Sequence, residues 1–264
     1  MGDASECVDR CDDIEAQGRI DLAACYRLCH YYGLNEGVCN HLSLMVDEKS
    51  FLVIKYGQNW DEVTPDSLLL VDESGAVLKG DGQCESTAFY IHSRIHAGGA
   101  QCVLHTHMPW STALCCLENG RLEMCHQNCL RFYNDIAYDS QFNGLVLDES
   151  EGDRLWRVMD GRKVLFHANH GVIVVGKSVA EAFDDLYYLE RAAEVVVKAM
   201  STGRPLKILD KQTCLDYKKQ HEASDEAAPS VGTDLPLLPS GADALFSALK
   251  RKLQRGWNAD VPFP

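Results

Sequence analysis

His105-Thr106-His107 follows the apolar run Cys102-Val103-Leu104. In an extended strand, residues i and i+2 share a face, so both imidazoles can converge on one metal ion while Thr106 points the other way. A third imidazole comes from Lys163-Val164-Leu165-Phe166-His167-Ala168-Asn169-His170-Gly171, where a buried strand gives way to a sharp passage into the next one. His170 is the better ligand candidate and His167 the weaker, because an odd offset sets them on opposite strand faces. Two histidines from one strand and one from another make a facial N₃ set with an open position for water or substrate. Glu85, just after the Gly80-Asp81-Gly82 break, starts a helical stretch. Near a cation it is a candidate fourth ligand and general acid/base; without one it is a first-turn carboxylate favoured by the helix dipole. His92 and His96 lie four apart on that stretch with no Glu between them, so a surface or interface role is expected of them.

The elements that must position these groups follow from periodicity. A helix is predicted over residues 6–34, then strands at Leu42–Val46 and Phe51–Tyr56, with a hairpin turn at Glu73-Ser74-Gly75. A helix over Glu85–His96, a strand over Gln101–His107 and a helix start at Pro109–Glu118 come next. Short strands and loops fill Leu122–Leu147, followed by a helix at Asp148–Met159, strands at Lys163–His167 and Gly171–Val175, and a long helix at Val179–Met200. Strands mixed with helices and hairpins favour one three-layer α/β or α+β domain over a regular βαβ repeat. The domain is expected over residues 1–220. His221–Ser240, rich in Pro, Ser, Ala and acidic residues, reads as a linker. Within 241–264, Leu245, Phe246, Leu249 and Leu253 line one face of an amphipathic helix, expected to dock on the acidic body or a neighbouring subunit.

With 25 Lys+Arg against 39 Asp+Glu, the 264-residue chain carries a net charge of −14. That excludes generic nucleic-acid or anionic-membrane binding, which need a basic footprint. An acidic N-terminus and the lack of a long apolar run point to a cytoplasmic protein. The 12 cysteines, with no C-x-x-C among them, then read as reduced structural thiols.

Glu85, His105-Thr106-His107-Met108-Pro109 and Ala168-Asn169-His170-Gly171, with Asn40-His41-Leu42-Ser43 and the Gly171–Gly176 strand before Ser178-Val179-Ala180-Glu181-Ala182, resemble the class II aldolase/adducin family over roughly residues 15–210. The resemblance implies a three-layer α/β/α fold around a mainly antiparallel sheet, in homotetramers with active sites between subunits. It implies that His105, His107 and His170 are divalent-metal ligands (zinc first, with manganese, iron or cobalt as alternatives) and that Glu85 is the acid/base carboxylate. Asn40 and Ser43 match substrate-pocket positions in relatives. A tyrosine from a neighbouring subunit serves as proton donor in family aldolases; Tyr133 is the candidate here, with Tyr138 nearby. Arg131 is a candidate carboxylate clamp by its chemistry alone.

Sugar-phosphate members carry two serines before the catalytic Glu, whereas this chain has Gln83-Cys84-Glu85, with Lys55-Tyr56-Gly57 at the other phosphate-loop region. Too few hydroxyls are left for a phosphate dianion, and the Phe51–Gly57 segment and His41 look more like the adducin-like and decarboxylase-like branch. The expected function is a metal-dependent lyase that cleaves a C–C bond, by aldol cleavage or decarboxylation, in a small unphosphorylated oxo or hydroxy compound through a metal-stabilised enolate. An adducin-like interaction module with a vestigial metal site is the competing reading, and a sugar-phosphate aldolase or epimerase the third.

Overall fold

A computed structural model describes residues 4–226, 240–256 and 263, with the side chains of 4–12 and 224–226 excepted. Helix α1 (Ala4–Tyr31) leads into the antiparallel strands β1 (His41–Met45), β2 (Ser50–Val53), β3 (Leu69–Asp72) and β4 (Val77–Lys79). Then come α2 (Ser86–Ala97), β5 (Cys102–Thr106), α3 (Pro109–Cys115), α4 (Gln127–Leu130) and β6 (Ile136–Asp139). The rest is α5 (Glu149–Met159), β7 (Val164–His167), β8 (Gly171–Gly176), α6 (Val179–Met200), α7 (Lys211–Glu226) and α8 (Gly241–Gln254). The described strands form one eight-stranded sheet in the order β4-β3-β2-β1-β5-β8-β7-β6. Every pairing is antiparallel except β6 with β7, the mainly antiparallel sheet that the family resemblance implies.

Alternation along the central strands divides the interior into two layers. Leu42, Cys102, Leu104 and Phe166 join the core built with α1, α3 and α6. Val103, Leu165 and Ile173 point the other way, against Ile91 and Ile95 of α2 and Leu155 and Met159 of α5. Helices thus cover both faces, giving three layers. The α2 side carries the sheet's buried polar cluster: His41, Ser43 and His105 share the parity of Val103, and all are buried.

One sequence expectation changes. The first residues of the linker expected over His221–Ser240 are helical instead, because α7 runs through Lys211–Glu226 and the chain meets no helix breaker before Pro229. Residues 227–239 lie outside the described residues. Helix α8 docks on the body as expected, with Phe246 and Leu253 buried in the α6-side core. Its basic residues serve that docking: Lys250 Nζ lies 2.5 Å from Asp21 Oδ1, and Lys252 Nζ lies 2.6 Å from Tyr31 Oη.

Helix α2 is clamped to α5 at Gly152, where an added Cβ would lie 2.3 Å from Tyr90 O and 2.9 Å from Arg94 Cγ. Alanine gains about 1 kcal/mol of helix propensity over glycine, but the contact is with backbone and cannot swing aside. Gly152→Ala is expected to destabilise the fold by about 1–3 kcal/mol, seen as a lowered urea midpoint. An unchanged or raised midpoint would show that the two helices are not clamped there.

Candidate metal centre

The β1–β5–β8 register assembles the site. His41 pairs with His105 across β1 and β5, and His105 pairs with Ile173 across β5 and β8. His170 occupies the three-residue turn between β7 and β8, which closes through His167 opposite Gly171. Asn169 takes a left-handed φ of 56° in that turn, a conformation Asn adopts more readily than most residues. Gly171 is required for a different reason: a Cβ there would meet Thr106 O at 2.5 Å and His107 Cδ2 at 2.8 Å. Its absence lets the turn carry His170 up to the end of β5.

Ligand atoms of His105, His107 and His170 lie within 4.8 Å of one another, and their rings sit 4.7–5.0 Å apart. Their hydrogen bonds fix which nitrogens can bind a cation. His105 Nδ1 lies 2.9 Å from Val172 O; a carbonyl only accepts, so Nδ1 holds the proton and Nε2 holds a lone pair. His107 Nδ1 faces Glu36 Oε2 at 2.7 Å, which makes His107 Nε2 a lone-pair donor too. That Nε2 is buried without a hydrogen-bond partner, as is His170 Nδ1. His105 Nε2 and His170 Nε2 stand 3.2 Å apart. Buried nitrogens rarely lack partners, and three imidazoles with inward lone pairs are the donor set of a facial metal site. The residues fit a divalent cation.

Burial sets the electrostatics. It pushes His105 well below the usual imidazole range, and His170 down to about 4, with repulsion among the neighbouring imidazoles adding to the effect. Neutral imidazole is the ligating form.

Glu85 is not one of the clustered ligands. It is the N-cap of α2, with Oε2 accepting from Ala88 N at 2.7 Å. Asn40, 1% exposed, ties the loop to the site: its Oδ1 accepts from Glu36 N at 2.8 Å and His107 N at 3.2 Å. Its Nδ2 is buried without a partner.

Ser43 departs from the substrate-contact expectation. It is fully buried behind the site, bonded to His92 Nδ1 and, at 2.6 Å, to His96 Nε2, because β1 runs inward under α2 from His41. Arg131 also departs from its expected role as a carboxylate clamp: its guanidinium pairs with Asp184 and lies 4.0 Å over the Tyr188 ring. Tyr133 stands beyond α4, its carbonyl accepting from Lys218 Nζ at 2.9 Å, and is not brought to the imidazoles of its own chain. Tyr138 hydrogen-bonds Leu122 N at 3.3 Å.

His92 and His96 correct the surface reading, since they are 0% and 6% exposed. His92 Nε2 meets His41 Nδ1 at 2.7 Å, and His96 Nδ1 meets Ala100 O at 2.7 Å. His167 is likewise engaged, with Nδ1 2.8 Å from Asp139 Oδ2; Asp139 in turn holds Arg154 through both oxygens. Sequence reasoning missed Glu36 and His41 as parts of the site. Glu36 carried no signal; His41 was legible only as part of Asn40-His41-Leu42-Ser43.

The family model described as Class II Aldolase and Adducin N-terminal domain matches residues 20–197. The chain belongs to the class II aldolase/adducin family. A Pseudomonas aeruginosa protein named after the class 2 aldolases is 34% identical over 196 residues, covering 73% of this chain and 75% of that protein. Mus musculus alpha-adducin is 30% identical over 258 residues, covering 93% of this chain but only 34% of the adducin. Among solved structures, an aldolase II superfamily protein from Pseudomonas syringae superposes with a TM-score of 0.79 at 29% identity, covering 91% of this chain and 93% of that one. The family's fold is therefore the fold seen here.

The histidines behind the site predict a pH dependence. Burial lowers His96 to about 4 and holds His92 well below its ordinary 6.5. Below that ordinary value the unfolded chain takes up protons that the fold refuses, so stability rises with pH across the window and is lost as pH falls from about 6.5 towards 4. The metal-free protein should show a falling urea midpoint there, and His96→Gln, which cannot protonate, a shallower fall. Equal slopes in the two proteins would contradict the assignment.

Proposed function

We propose that the protein is a metal-dependent carbon–carbon lyase acting on a small, unphosphorylated oxo or hydroxy carboxylate or carbonyl compound. The observation that carries this reading is the convergence of three imidazoles, two of which, His105 and His107, have outer hydrogen bonds to Val172 O and Glu36 that turn their Nε2 lone pairs inward. His105, His107 and His170 would hold the cation, with zinc first and manganese, iron or cobalt as alternatives. When bound, such a cation supplies Lewis-acid stabilisation of the negative charge left by a breaking C–C bond.

The chain's own groups manage the rest. Glu85 would move the proton, taking one from a substrate hydroxyl in aldol cleavage or returning one to the carbanionic carbon after loss of CO₂. Asn40 Nδ2, buried and without a protein partner, is a donor for a substrate oxygen. Tyr133, remote from its own chain's imidazoles, would serve a neighbouring copy in a homotetramer. Cys84 supports the preference for unphosphorylated compounds. It packs beside Phe51 and Val53, its thiol pushed up to about 12 by burial and by Glu85, where a phosphate site would need a hydroxyl donor. Among the described residues, no helix is long and apolar enough to cross a membrane and ten cysteines are free thiols, which support a cytoplasmic protein with reduced thiols. No nucleic-acid partner is proposed for so acidic a chain.

The likeness to alpha-adducin supports a second reading, an interaction module whose metal site is vestigial. Metal content separates the two. Protein purified without added metal should hold about one transition-metal ion per chain, lost in His107→Ala; a metal-free wild-type chain would contradict the enzyme reading. Glu36→Ala should weaken affinity about 10- to 100-fold in chelator competition while leaving the urea midpoint unchanged, since Glu36 is exposed.

A screen of small oxo-acids and hydroxy-aldehydes tests the reaction. Metal-dependent release of CO₂ or aldehyde is expected from the wild type, with Glu85→Gln slower by about 100-fold or more. Full activity in that variant would remove Glu85 from its role.

A further inference from the structure

The hydrogen bonds behind the three imidazoles form one chain with a fixed direction. Ala100 O can only accept, so His96 Nδ1 carries the proton across their 2.7 Å contact and His96 Nε2 is left as an acceptor. Ser43 Oγ, 2.6 Å away, has one hydrogen and must direct it to His96 Nε2. Its oxygen then accepts from His92 Nδ1, which makes His92 Nε2 a lone pair. His41 Nδ1, 2.7 Å from that lone pair, has to be the donor. The count ends at His41 Nε2, which carries no proton.

No carboxylate takes part in this chain. His41, Ser43, His92 and His96 are at most 6% exposed, so a charged imidazole among them would be buried without a counter-ion. The neutral, one-directional assignment satisfies every contact from Ala100 O to His41 Nδ1 and leaves only His41 Nε2 as an open acceptor. His41 lies beside the metal centre, its ring 5.0 Å from that of His105, its cross-strand partner. Its Nδ1 is turned to α2, and no protein donor meets Nε2 among the described residues.

We propose that His41 Nε2 is a fixed hydrogen-bond acceptor at the edge of the metal centre, oriented through His92, Ser43 and His96 by the Ala100 carbonyl, and that it selects ligands presenting a hydroxyl donor over ligands presenting only carbonyl or carboxylate oxygens. The tautomer half of this inference stands on the hydrogen bonds alone; the ligand half rests on the metal-dependent reading above. An acceptor with a locked proton cannot turn to serve a second lone pair, so a keto oxygen at that point meets repulsion where a hydroxyl meets a hydrogen bond.

Long-range ¹H–¹⁵N correlation spectra of the full chain, with and without Zn²⁺, read the tautomers directly. The expected result is a protonated Nδ1 and unprotonated Nε2 at His41, His92 and His96; a protonated His41 Nε2 overturns the inference. Titration of the Zn²⁺-loaded protein with lactate and with pyruvate then tests selection. Wild type should bind lactate about 3- to 10-fold more tightly. His41→Phe should lose the preference, and His41→Gln, which can still donate to His92 while offering an oxygen, should keep part of it. Equal affinities in the wild type, or no binding of either probe, overturn the ligand half. A chain that holds no Zn²⁺ overturns the metal reading, and the tautomer result on the metal-free protein still decides the proton count.

Discussion

The pairing of β1, β5 and β8 in one register is the constraint on which the molecule depends. His41 opposite His105 and His105 opposite Ile173 put the polar side chains on the α2 side, while Leu42 and Leu104 fill the other core. Side-chain parity in a strand is strict, so a one-residue slip would send these histidines into the apolar layer under α1 and α6. The register also delivers Val172 O to His105 Nδ1. The same pairing that stabilises the sheet therefore orients a ligand of the site.

Two carbonyls and a carboxylate, all outside the centre, set its chemistry. Val172 O, Ala100 O and Glu36 each accept from a ring nitrogen, and each acceptance turns an imidazole lone pair in a chosen direction, at His41 through a relay. Burial lowers His105 and His96 below the usual imidazole range, and the contacts from Ala100 O to His41 Nδ1 pair each polar group they join, which is what allows such a network inside a fold. An acidic surface with a net charge of −14 would repel an anionic ligand. A cation among the imidazoles would reverse that field locally, since Arg131 is already held by Asp184.

Much of this was legible in the sequence wherever the signal is local. The i,i+2 spacing of His105 and His107, the strand ending at His170-Gly171, and the order of helices and strands all follow from short-range periodicity. The mainly antiparallel sheet came with the family resemblance, and the metal set was implied by spacing and resemblance together. What escaped depends on contacts distant in the chain. His92 and His96 read as surface residues because nothing local reveals that β1, some 50 positions earlier, supplies their partners. Ser43 and Arg131 have chemistry suited to a ligand, but the folded chain supplies internal partners first. Helix α7 was hidden by its scarcity of apolar residues, and Glu36 by its place in a loop with no periodicity.

Crystals grown with Zn²⁺ and measured across the zinc absorption edge test the central claim most directly. The account predicts one strong anomalous peak per chain, about 2.0–2.1 Å from Nε2 of His105, Nε2 of His107 and a ring nitrogen of His170. A peak bonded to other side chains, or three empty imidazoles at saturating Zn²⁺, would contradict it.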